Sequence, residues 1–123
     1  MSLTALRIVT ASAERFMVKN AYLTGRKISM FVIMSTYLKP MDQVDAFLKA
    51  HRAFLDAQYA KGVFLASGPK VPRTGGVILA KASSRDKLEE IMKEDPFSQN
   101  GISKYEFIEF APGKVASGLE KLL

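Results

Sequence analysis

The sequence predicts an α+β fold of order βαββαβ, with a four-stranded antiparallel sheet and two helices on one face. Three observations carry that expectation. Residues 41–62 (MDQVDAFLKAHRAFLDAQYAKG) place Val44, Phe47, Leu48, Phe54, Leu55 and Gln58 at three-and-four spacing, the mark of one helix face. Residues 30–37 (MFVIMSTY) and 104–110 (KYEFIEF) read as strands at either end of the pattern. Two more strand runs and a second helical run lie between them, in the order of the ferredoxin-like arrangement.

The first strand begins with an unbroken apolar run, so both of its faces should be covered. Lys39-Pro40 ends it, and Asp42 is a fair N-cap for the helix that follows. Lys61-Gly62 closes that helix, a cation followed by a glycine suited to the left-handed turn. Residues 63–67 (VFLAS) form a second strand running into Gly68-Pro69. A turn-rich link through Lys70, Pro72, Arg73, Gly75 and Gly76 leads to a third strand over 77–82, a hairpin with a long loop. The glycine pair is not a phosphate loop, because the rest of that motif is missing. Ser83 is the expected cap of the second helix, with Asp86 at the capping-box position and an apolar stripe of Leu88, Ile91 and Met92. Pro96 stops this helix by Asp95. Residues 97–103 are then a connection, and in the last strand Tyr105, Phe107 and Glu109 share one face.

At 123 residues, 48% of them hydrophobic, the chain can fold as one domain with a real core. No apolar run reaches the length of a membrane span, so no membrane partner is expected. Absence of cysteine excludes thiolate nucleophiles, disulfides and cysteine metal sites, and fits a reducing compartment such as the cytoplasm. A single histidine argues against a dedicated transition-metal site. The net charge of +6 is concentrated in residues 1–29, where Arg7, Arg15, Lys19, Arg26 and Lys27 face Glu14 alone. The remainder is close to balanced and shows no basic stripe interleaved with aromatics, so no nucleic-acid partner is expected. The basic leader suits a targeting presequence, an upstream extension with Met17 or Met30 as the alternative start, or a helix or strand laid on the domain. Residues 30–110 form the expected domain and 111–123 a tail.

His51 lies on the apolar stripe of the first helix. Two roles fit it: a core histidine satisfied by a backbone carbonyl, or an acid/base at the rim of a pocket. Asp95 has two readings as well. It is either a turn residue before proline or a carboxylate that accepts a hydrogen bond from His51, since the two helices should lie side by side. Such a bond would leave the other ring nitrogen to move a proton. Ser67, at a strand end, either starts the turn or donates to a substrate oxygen. Tyr37 and Phe97 are pocket-wall candidates with core packing as the alternative. No nucleophile elbow is present, which argues against a triad of Ser67, His51 and Asp95. Lys70 and Arg73 could meet an anionic substrate or remain solvated. The sheet face away from the helices is too apolar for water. A second copy of the chain in a two-fold homodimer would cover it, as would the leader or the tail.

Residues 30–110 resemble the YCII-related (YciI-like) family of the dimeric α/β-barrel superfamily. The features are MFVIMSTY, then His51 within HRAFLDAQYAKG, ASGP at 66–69, DPF at 95–97 followed by Gly101-Ile102, and KYEFIEF. The leader lies outside the resemblance. What the resemblance implies is a homodimer with a pocket between helix and sheet and an active-site pair at His51 and Asp95. The family includes a dehydrochlorinase acting on a chlorinated aromatic ring, and related barrels include muconolactone-isomerase-like proteins. The expected function is therefore a small cofactor-free lyase or isomerase using His/Asp acid–base chemistry on a small organic substrate. The alternative is a non-catalytic small-molecule-binding module.

Overall fold

A computed structural model describes residues 28–123. Most of the basic leader therefore lies outside the described residues, and with it the choice between presequence, extension and added element. The chain runs through β1 (Ser29–Tyr37), α1 (Met41–Ala46), α2 (Leu48–Ala60), β2 (Phe64–Pro69), β3 (Gly76–Ala82), α3 (Arg85–Met92), α4 (Pro96–Gln99) and β4 (Ser103–Phe110). A short 3₁₀ turn, Glu120–Leu122, lies in the tail. All strand pairs are antiparallel and the sheet order is β2-β3-β1-β4. This is the expected ferredoxin-like sheet, the chain fold of the dimeric α/β barrels. No helix among the described residues is long and apolar enough to cross a membrane.

Local chemistry departs from expectation in four places. The single helix over 41–62 is two helices, because Phe47 leaves helical geometry at φ −104° and ψ 2°. The residues around the break and those further along α2 serve different apolar clusters. Val44, Phe47 and Leu48 pack with Phe97 and Ile102, whereas Phe54 and Leu55 pack with Phe31, Ile33, Phe64, Ile78, Leu88 and Met92. Asp42 is not the cap; Pro40 occupies that position with no side-chain bond, and Asp42 sits in the positive first turn. Ser84, not Ser83, caps α3 by accepting from the Lys87 amide at 3.2 Å. The connection after Asp95 contains the short helix α4, for which Asp95 is the N-cap and Pro96 the first residue. The end of α2 is as read: Gly62 at φ 74° lets its own amide reach Tyr59 and that of Val63 reach Gln58, both at 3.0 Å.

Gly75 is required by a close approach. A Cβ there would lie 1.8 Å from the carbonyl oxygen of Ser35 in β1. The bare backbone lets the hairpin loop close on β1, with the Tyr37 amide donating to Thr74 at 2.9 Å and the Gly76 amide to Ser35 Oγ at 2.8 Å.

Alternation along the strands puts Phe31, Ile33, Ile78 and Ala80 on the helix side, with Tyr105 and Phe107 packed against the same cluster. The opposite face carries three cross-strand rows: Leu79, Val32, Ile108; Val77, Met34, Glu106; and Lys81, Met30, Phe110. Val77, Ile108 and Phe110 are exposed there at 37%, 49% and 43%. The tail reaches this face at one corner, where Lys81 Nζ donates to the Lys121 carbonyl at 2.6 Å.

Candidate functional site

The site forms where the two apolar clusters meet on the helix side of the sheet. α2 presents His51 one turn after Phe47, whose carbonyl accepts from the His51 amide at 2.9 Å. α3 ends at Met92, and the chain turns so that Asp95 begins α4. The Asp95 carboxylate is buried completely. Its Oδ1 accepts from His51 Nδ1 at 2.8 Å and from the Phe97 amide at 3.0 Å. Its Oδ2 accepts from the Tyr105 hydroxyl. The turn role and the histidine role read from the sequence as alternatives are thus performed by one oxygen.

A carboxylate can only accept, so Nδ1 carries the proton in this bond. The neutral ring then keeps its lone pair on Nε2. The ring plane is held by a parallel stack on Phe97, with centroids 3.9 Å apart and planes 2° from parallel. Tyr37 meets Phe97 edge-on at 6.1 Å. The His51 side chain keeps 16% of its surface exposed.

A cavity of about 290 Å³ opens beside this ring. His51, Tyr37, Phe97 and Ser67 line it, as do Ser35, Arg52, Arg73 and Tyr105. Asp95 does not line it and acts from behind His51. Ser67 Oγ is held by the Tyr59 hydroxyl at 2.5 Å. Among the described residues no three His, Cys, Asp or Glu side chains converge as a metal site would need.

Tyr105 and Arg52 were not singled out by the sequence reading. The parity of β4 places Tyr105 inward, and a buried phenol needs a polar partner; that was the available signal. Burial first, and then the negative charge of Asp95 and the bond to it, push the Tyr105 hydroxyl far above its ordinary range. The folded protein therefore keeps this proton where an unfolded tyrosine, at about 10, loses it. The resulting stabilisation is complete below about pH 10 and is lost as pH rises above it. Tyr105→Phe should lower the urea midpoint at neutral pH, by about 1–3 kcal/mol in stability. It should also make the decline above pH 10 shallower than in the parent chain.

The family model of the YCII-related domain matches residues 30–111. The chain belongs to the YCII-related family. Among solved structures, this family member is similar to 5-chloro-2-hydroxyhydroquinone dehydrochlorinase (TftG) from Burkholderia phenoliruptrix, in complex with 2,5-dihydroxybenzoquinone. The TM-score is 0.59 and the identity 22%, over 68% of this chain and 95% of that one. It also matches a variant of SnoaB, a cofactor-independent oxygenase from Streptomyces nogalater, with a TM-score of 0.43 and 14% identity over 73% and 97% of the two chains. No curated protein matches the sequence.

Proposed function

We propose that this YCII-related chain is a small cofactor-free enzyme in which His51 moves a proton to or from a small ring-bearing substrate. The observation that carries the reading is the 2.8 Å bond from Nδ1 to a buried carboxylate, on a ring that lines a cavity. Asp95 fixes the tautomer and favours the imidazolium once it forms. Nε2 is the nitrogen left to exchange the proton. Ser67 and Tyr37 supply hydroxyls for substrate oxygens, and Phe97 backs the imidazole.

The reactions that need only this are eliminations and isomerisations. In a dehydrochlorination, Nε2 takes a proton from the substrate while the carbon–chlorine electron pair leaves as chloride. In an isomerisation the same proton returns at another atom. The neighbour named for dehydrochlorination has the same fold; the chemistry proposed here rests on the site residues. A panel of chlorinated hydroquinones, lactones and small aromatic acids, followed by mass spectrometry and chloride release, tests it. Conversion of one class, abolished in His51→Asn, is expected. Saturable binding with no conversion at any pH would instead identify a binding module.

The open sheet face supports a homodimer, sheet against sheet. The 13.6 kDa chain should sediment at twice its mass, and Ile108→Lys, at an exposed position on β4, should sediment as a monomer with an unchanged fold. A parent chain that stays monomeric at micromolar concentration would contradict this pairing.

A further inference from the structure

We propose that the cavity takes a ring compound carrying an anionic oxygen group, a carboxylate or an ionised ring hydroxyl, held by Arg52 and Arg73. The proposal rests on reading the cavity as the substrate site and names the class of substrate it takes. Much of the wall is apolar, formed by Ile33, Leu48, Leu55 and Ile78. Its basic side chains are Arg52, Arg73 and His51, and among the described residues no Asp or Glu lines it. Two arginines beside an apolar hollow gain nothing from a neutral hydrocarbon ring. They match an anion, because charge-assisted hydrogen bonds are stronger than neutral ones and a guanidinium fork fits a pair of oxygens.

The two arginines differ in how they are held. Arg73 Nη2 donates to Asp45 Oδ1 at 3.0 Å, and its guanidinium carbon lies 6.0 Å from the centre of the Tyr37 ring. These contacts position Arg73, while the bond to Asp45 occupies one of five N–H donors. Arg52 has no carboxylate partner among the described residues. Asp95 already balances the imidazolium whenever His51 takes a proton. Of the two arginines, Arg52 is therefore the one with no ion pair to exchange, and a monoanion is its complement. A cavity of about 290 Å³ stands at the small end of ligand sites, which run from about 300 to 1,000 Å³, and suits a single substituted ring.

Calorimetric titration of the full chain compares benzoate with benzamide and 4-nitrophenolate with nitrobenzene. At least one anion should bind about 10- to 100-fold more tightly than its neutral counterpart. Whichever does so fixes the group as a carboxylate or a ring oxyanion. Arg52→Gln and Arg73→Gln should each reduce that ratio toward one without changing benzamide affinity or melting temperature. His51→Asn should preserve it. Equal binding of charged and neutral rings, no binding of any ring, or a preference that survives both arginine changes would overturn the proposal. Anion preference without any His51-dependent turnover would remove only the proton-transfer reading. Turnover of neutral rings alone would remove only this one.

Discussion

Asp95→Ala should cost about 3–5 kcal/mol of stability, a large share of what a domain this size possesses. The carboxylate is sealed from solvent and holds three donors: His51 Nδ1, the Phe97 amide and the Tyr105 hydroxyl. Alanine removes the acceptor of all three at once, and the Phe97 amide among them is buried, so the loss exceeds that of one hydrogen bond. It also removes the side-chain cap of α4 and frees the segment carrying Phe97, against which the imidazole stacks. Urea denaturation measures the effect. Asp95→Asn is the informative companion. Its amide oxygen can still accept from the Phe97 amide, so this variant should fold, yet it offers no charge to an imidazolium. A variant that folds well and has lost its activity would separate the structural duty of this residue from its chemical one.

His51→Ala, by contrast, should leave the fold nearly intact and lower both kcat and kcat/KM by about 10²–10⁴ on a substrate found by screening. The ring is partly exposed, and Asp95 keeps two of its donors without it. An effect confined to KM would mean that the imidazole only binds.

The order of strands and helices was legible because the apolar periods are clear on both sides of each turn. His51 announced itself as a polar ring on an apolar stripe. Its partner was readable mainly through family resemblance, since Asp before Pro has a commonplace turn role that Asp95 also performs. The break at Phe47 was not legible: an apolar residue at the right spacing looks the same whether the helix continues or turns to serve a second cluster. Tyr105 joins the site only through the pairing of β4 with β1, which sets it opposite Ser35. Arg52 follows His51 directly and reads like any solvated arginine until the cavity is seen beside it. Contacts between residues distant in the chain decide these cases, and local pattern does not carry them.

The imidazole is the only one in the chain, so its nitrogen resonances are free of overlap. Long-range proton–nitrogen correlation spectra of the labelled protein, recorded where the ring is neutral, report which nitrogen bears hydrogen. Nδ1 should be protonated and Nε2 bare, and Asp95→Asn should weaken that preference. A ring carrying its proton on Nε2 would mean that the buried carboxylate does not hold it as described and that the lone pair needed at the cavity is absent.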